Sequence, residues 1–136
     1  MTPRKPNPGT PIITGPLPLS ESAFTQQIID MAHLFGWRVA HFRPARLVDK
    51  DGKPQWRTPV QADGQGLHDL ILAKRGNAHH PGRVLFWEVK VGDNILSPSQ
   101  RIWHDILATC PGVEEATVRP SDWETIKTTL EGKGID

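Results

Sequence analysis

Asp69 in "GLHDLILA" and, nineteen residues on, Glu88 and Lys90 in "RVLFWEVKV" are charged groups set into apolar surroundings. An extended strand projects alternate side chains to opposite faces, so Val84, Phe86, Glu88 and Lys90 share one face while Leu85, Trp87, Val89 and Val91 share the other. Both faces begin apolar, the pattern of a central strand covered on both sides. Burying an unpaired charge there costs several kcal/mol, so Glu88 and Lys90 are either neutralised by partners or kept for chemistry. Glu21 is a third acid, one turn before Phe24 and two turns before Ile28 on an apolar helical stripe expected to face the core. Three carboxylates brought to one sheet edge suit a hard divalent cation, which takes oxygen ligands and substrate phosphate. Such an ion polarises a phosphoryl oxygen and lowers the pKa of a water that attacks phosphorus. Lys90, one pleat beyond Glu88, is placed to orient that water and to ease repulsion between the acids.

Each group also has a structural reading. Glu21 in a first helical turn is favoured by the helix dipole alone. Asp69 could end the turn after Gly66, and Glu88 with Lys90 could be an ion pair, although neighbours on one strand bridge poorly. Gln100 completes an S-x-x-Q capping box with Ser97. His79 and His80 lie in a loop bounded by Gly and Pro, where exposure is the ordinary state.

The surrounding pattern predicts the elements that hold these groups. Ser20 reads as an N-cap, with Phe24, Ile28, Met31 and Phe35 at helical spacing up to Gly36. "WRVAHFR" reads as a strand that Pro44 ends. Asp51-Gly52 predicts a hairpin between Leu47-Val48 and Gln55-Trp56. "LHDLILA" reads as a strand with Asp69, Ile71 and Ala73 on one face and His68, Leu70 and Leu72 on the other. "SPSQRIWHDILATC" predicts a helix capped by Ser97, with Pro98 in its first turn and Ile102, Ile106, Leu107 and Cys110 on one face. "EEATVR" is a short strand, and Ser121 with Glu124 predicts a capping box for a last helix through about Leu130. The order is a mixed α/β domain over residues 19–136, with a parallel crossover around the second helix. Residues 1–18, with six prolines and two glycines, predict a mobile tail.

A chain of 136 residues with a formal net charge of +1 fits one domain and by average charge argues neither for nor against nucleic acid. Its distribution is uneven: Trp37 to Arg75 holds eight Lys/Arg against four Asp, while the rest is net acidic. That segment is compatible with a phosphate-facing surface, or with a solvated basic loop. Trp56 in the hairpin is a candidate for stacking on a base. The single Cys110 forms no internal disulfide, and no Cys or His spacing matches a zinc motif. No apolar run predicts a membrane span, so a cytoplasmic protein is expected.

The combination of Asp69 and Glu88-Val89-Lys90 with "LSPSQRIW" and "RPSDW" in order behind it resembles the PD-(D/E)XK nuclease superfamily, most closely its VRR-NUC branch. The resemblance runs from about Ser20 to Leu130. It implies a restriction-endonuclease-like core, a mixed central β-sheet flanked by helices in αβββαβ order, with the hairpin as an insertion. It also implies Asp69, Glu88 and the Val89 carbonyl as ligands of Mg²⁺ or Mn²⁺, Lys90 as the catalytic lysine, Glu21 as the acid of the first helix, and Gln100 as the glutamine after the catalytic strand. His68 stands where the family usually has proline; it sets the strand's entry, and its ring could approach a phosphate.

The expected activity is metal-dependent phosphodiester hydrolysis in DNA, selective for branched or junction structures, in a phage or mobile-element setting. Arg43, Arg46, Lys50, Lys53 and Arg57 are the expected backbone contacts. A domain this small covers little DNA, so a homodimer is expected. The alternative is a non-catalytic nucleic-acid-binding or scaffolding subunit, against which the full set of Glu21, Asp69, Glu88 and Lys90 argues.

Overall fold

The computed structural model describes residues 20–42, 45–57 and 61–132, apart from the side chains of 45–47 and 55–57. The proline-rich stretch 1–18 and Arg43 lie outside the described residues.

Ser20 caps the first helix, α1 (Glu21–Leu34), by accepting from the Ala23 N–H at 3.1 Å. Phe24, Ile28 and Ala32 recur on one stripe and are fully buried, with Met31 and Phe35 packed beside them. The Trp37 N–H closes the helix on the Ala32 carbonyl at 2.9 Å. Glu21 departs from the expected core stripe: it is exposed, at the open end of the helix.

The strands are β1 (Arg38–His41), β2 (Ala45–Val48), β3 (Pro54–Arg57), β4 (Leu70–Lys74), β5 (Arg83–Val89) and β6 (Glu114–Val118). A four-stranded sheet has the order β1-β4-β5-β6, antiparallel except for the parallel β5/β6 pair. The "RVLFWEVKV" segment is therefore an interior strand, as its two apolar faces require. Between β5 and β6 the chain passes through the second helix, α2 (Pro98–Leu107), which is the crossover a parallel pair needs.

Pairing fixes which residues share a face. Leu70 opposes Trp87, Leu72 opposes Leu85, and Val89 opposes Val118. These form the main core with α1 and with Ile126 and Leu130 of the third helix, α3 (Trp123–Glu131). Phe86, Glu88, Glu115 and Thr117 share the other face, where α2 lies. The fold is thus a mixed sheet with α1 and α3 on one side and α2 on the other.

The hairpin β2/β3 forms a separate two-stranded sheet, Leu47 opposite Gln55 and Arg46 opposite Trp56, one residue off the pairing that a two-residue turn at Asp51-Gly52 gives. Its turn is one step earlier than Asp51-Gly52: the Gly52 N–H donates to the Asp49 carbonyl, and the Asp49 side chain accepts from the Asp51 and Lys53 N–H groups.

Three expectations are corrected. Ile102 and Ile106 are 61% and 55% exposed, and α2 instead turns His104 inward, with Leu107 and Trp103 half-buried. The last helix is not capped by Ser121: a 3-10 turn over Pro120–Asp122 precedes it, and Asp122 Oδ2 accepts from the Arg119 N–H at 2.9 Å. His68 does not share the face of Leu70 and Leu72. The strand begins only at Leu70, and the bend before it turns His68 to the α2 side against Phe86.

Candidate functional site

Glu88 stands one residue from the end of β5 and is 1% exposed. Its Oε1 accepts from Gln100 Nε2 at 2.8 Å and lies 3.7 Å from Lys90 Nζ. Its Oε2 is buried with no hydrogen-bond donor among the described residues. A carboxylate oxygen in that state carries charge without solvation, which is unfavourable unless a proton or a cation supplies the counter-charge. Burial first, and then the Asp69 carboxylate, push the Glu88 carboxyl up to about 8, with the Lys90 ammonium opposing.

Asp69 sits in the bend that leads into β4, across from the end of β5. Its Oδ2 accepts from the Val89 N–H at 3.0 Å, and its carbonyl accepts from the Phe42 N–H at 2.9 Å. The first of these bonds ties the Asp69 side chain to the backbone next to Glu88, so the two acids are held as a pair. Lys90 follows β5 and is anchored by its N–H on the Val118 carbonyl at 3.0 Å. Glu21 belongs to the same group at its rim: partial desolvation and then Asp69 raise its carboxyl, while Lys90 lowers it. The structure thus brings together Glu21, Asp69, Glu88, Lys90 and Gln100, with Val89 as the backbone between the two charged positions of β5.

Gln100 has two roles at once. Its Oε1 accepts from the Ser97 N–H at 2.9 Å while its own N–H donates to Ser97 Oγ at 3.3 Å, completing the capping box. Its remaining amide group donates to Glu88. Helix start and acid are therefore aligned by one side chain.

The loop before Asp69 is fastened to the same helix. Gly66 has φ of 87°, and a Cβ there would lie 2.5 Å from Ser99 C and 2.7 Å from Gln100 N. Only glycine allows both that backbone conformation and that approach. One turn further along α2, Trp103 Nε1 donates to the Asp63 carbonyl at 2.9 Å. On the other side of the site, Arg119 donates to the carbonyls of Gly92 and Asn94 at 3.1 and 2.7 Å, holding the loop that follows Lys90.

A second cluster was not anticipated. His68 Nε2 and His104 Nδ1 both reach Glu115 Oε2, at 2.9 and 2.6 Å, with the two rings stacked at a centroid distance of 4.0 Å. Burial, chiefly, and the neighbouring His68 lower the His104 pKa, opposed by Glu115. His68 is fully buried, so its ring is not available to a phosphate as expected. The signal lay in strand parity: Glu115 shares the inward face with Phe86, and His104 is four residues after Gln100 on one helical face.

Of the expected DNA contacts, Lys50 and Lys53 are exposed at the hairpin turn. Arg46 and Arg57 are placed on β2 and β3, opposite Trp56 and Ala45 respectively, with side chains outside the described residues, as is that of Trp56. His79 and His80 are exposed, their N–H groups donating to Asn77 Oδ1. Among the described residues no helix is long and apolar enough to cross a membrane.

No protein-family model, no curated protein and no solved structure matches this chain.

Proposed function

We propose that this chain is a Mg²⁺- or Mn²⁺-dependent deoxyribonuclease with a restriction-endonuclease-like core, of the VRR-NUC branch of the PD-(D/E)XK superfamily. The observation that carries the reading is Glu88: a carboxylate in the interior of the fold, one oxygen held by Gln100 and the other without a donor, beside a second acid and an ammonium. Buried carboxylate oxygens are ordinarily hydrogen-bonded, and here the neighbouring Asp69 acid can satisfy Oε2 only while one of the two acids holds a proton.

The donor set fits a hard cation. Glu88 Oε2 and Asp69 would be its carboxylate ligands, Glu21 would close the rim, and the Val89 carbonyl would be the backbone ligand. A bound divalent ion supplies Lewis-acid polarisation of the phosphate and acidifies a water. Gln100 keeps Glu88 Oε1 occupied, so that Oε2 is the oxygen presented. Asp69 is kept in place by the Val89 N–H. Lys90 orients the attacking water and stabilises charge on the phosphate oxygens as the water oxygen bonds to phosphorus and the ester P–O bond breaks. Lys50 and Lys53, with Arg43, Arg46 and Arg57, contact the DNA backbone. A homodimer acting on branched or junction DNA, in replication, repair or recombination, completes the proposal.

The test is cleavage of labelled single-stranded, duplex, flap and four-way DNA with Mg²⁺, Mn²⁺ or chelator. Metal-dependent cleavage that Asp69→Ala and Lys90→Ala both remove is expected. Full activity in either variant, with folding intact, removes the mechanism. DNA binding without cleavage on every substrate and with either metal favours a scaffolding role.

A further inference from the structure

Outside the carboxylate site, the described residues hold one other buried group of metal-ligating side chains: His68, His104 and Glu115, whose ligand atoms all lie within 4.8 Å of one another. They come from three separate elements, the bend before β4, the middle of α2 and the second residue of β6. Two imidazoles, 0% and 7% exposed, converge on one carboxylate oxygen. His68 Nδ1 and His104 Nε2, the two outer ring nitrogens, are buried with no hydrogen-bond partner among the described residues.

Two imidazole nitrogens and one carboxylate oxygen form a donor set for zinc, and a poor one for magnesium, which selects oxygen. The present N···O separations of 2.9 and 2.6 Å are hydrogen-bond lengths. Ligands on a tetrahedron with bonds of about 2.0–2.1 Å stand roughly 3.3–3.4 Å apart, so admitting the ion takes a separation of under about 1 Å together with a turn of the two rings, now stacked at 19°, that brings each in-plane nitrogen lone pair onto it. The ring protons then move from Nε2 to Nδ1 in His68 and from Nδ1 to Nε2 in His104, and both rings stay neutral.

We propose that His68 Nε2, His104 Nδ1 and the Glu115 carboxylate form a three-ligand Zn²⁺ site, its fourth position left to water, separate from the Asp69/Glu88 site, that clamps the bend carrying Asp69 onto α2 and β6. It does not depend on the nuclease reading. The ion crosslinks three elements, so its main effect is on stability and on the position of the segment next to Asp69.

The experiment takes the full chain, stripped with chelator and exchanged into buffer, and titrates it with Zn²⁺ and, for its visible absorption, with Co²⁺. About one equivalent of Zn²⁺ retained through gel filtration is expected, with a rise in Tm on adding Zn²⁺. His104→Ala and Glu115→Gln should each weaken Zn²⁺ binding at least about tenfold and remove the Co²⁺ absorption, whereas Asp69→Asn and Cys110→Ser should keep both. Glu115→Gln preserves the side-chain shape and so covers the case in which His104→Ala fails to fold. No Zn²⁺ retained by the wild-type chain, or undiminished retention in Glu115→Gln, overturns the site. Loss of Zn²⁺ in Asp69→Asn overturns it as well, since it would place the ion at the carboxylate pair. DNA cleavage by a chain that retains no zinc removes this site and leaves the nuclease reading standing; zinc retention without cleavage does the reverse.

Discussion

Gln100 Nε2 donates to Glu88 Oε1 at 2.8 Å, across the space between α2 and β5, while the other end of the same amide caps the helix. The two bonds use opposite ends of the side chain, so substitutions can separate them. Gln100→Glu retains an acceptor for the Ser97 N–H but sets a second carboxylate against Glu88. Gln100→Ala loses both bonds. We expect Gln100→Glu to lose metal-dependent cleavage with its metal-bound Tm little changed, and Gln100→Ala to lose cleavage and at most about 1 kcal/mol of stability, since the Ser97 cap on the residue-100 N–H remains and only the reciprocal half of the capping box is lost. Thermal melts beside cleavage rates check this; a Gln100→Glu variant with wild-type cleavage would show that the contact to Glu88 has no bearing on activity.

The Glu88 carboxyl, pushed up to about 8 by burial and by Asp69, makes the metal-free protein sensitive to pH. An acid that binds its proton more tightly when folded contributes stability that is complete below its unfolded pKa of 4.5 and is lost as pH rises through the folded value. The metal-free chain should therefore lose on the order of a few kcal/mol between those limits. Mg²⁺ or Mn²⁺ should restore it at the alkaline end, by supplying the counter-charge the proton no longer gives. Glu88→Gln should flatten the metal-free profile and abolish the rescue. Chemical denaturation in chelator across this pH range, with and without metal, reads both effects, and a metal-free wild-type protein that gains stability toward alkaline pH would contradict the account.

Much of this arrangement is legible in the residues because local rules and tertiary packing agree there. Ser20 and Ser97 cap helices as their spacing to the apolar stripe demands, and strict alternation in "RVLFWEVKV" sorts Leu85, Trp87 and Val89 from Phe86 and Glu88. The failures occur where a polar cluster overrides apolar patterning. In α2 the apolar stripe of Ile102 and Ile106 faces outward, because His104 is drawn in to Glu115 and Gln100 to Glu88. His68 defied the alternation of β4 because it precedes the strand, in a bend set by Gly66 and by the loop's attachment to α2. At the last helix, Ser121 does not act as the cap because it lies inside the 3-10 turn Pro120–Asp122, where Asp122 Oδ2 accepts from the Arg119 N–H. None of those choices is written in the spacing of one segment; each depends on a partner brought from elsewhere in the fold.

Gly66 and Gly36 make a controlled pair. Both have positive φ, 87° and 84°, but a Cβ at Gly66 runs into Ser99 and Gln100 while at Gly36 it meets nothing within 4 Å. Gly36→Ala should cost only the backbone strain, about 1 kcal/mol, and leave cleavage intact. Gly66→Ala adds displacement of the start of α2, which carries Gln100 away from Glu88. It should cost at least about 2 kcal/mol and reduce cleavage by more than its loss of folded protein explains. Equal stability losses in the two variants, with equal activity, would show that the close approach at Gly66 is readily relaxed.

Lys50 and Lys53 test the nucleic-acid side of the reading without touching the carboxylates. Both are exposed at the β2/β3 turn, and neither has a role in the metal-ligating groups described above. A lysine on a DNA phosphate releases condensed counterions on binding, so its removal lowers the salt dependence of affinity as well as the affinity itself. Lys50→Ala with Lys53→Ala should reduce the slope of log K against log[salt] by about 2 and weaken binding uniformly across DNA sequences. Mn²⁺ binding by calorimetry should be unchanged, and cleavage at saturating DNA should approach the wild-type rate, because the proposed reaction places the phosphate at Lys90 and not at the hairpin. An unchanged salt slope in the double variant would move the DNA-binding surface away from the hairpin turn, while a changed Mn²⁺ affinity would mean that the hairpin supports the metal ligands themselves.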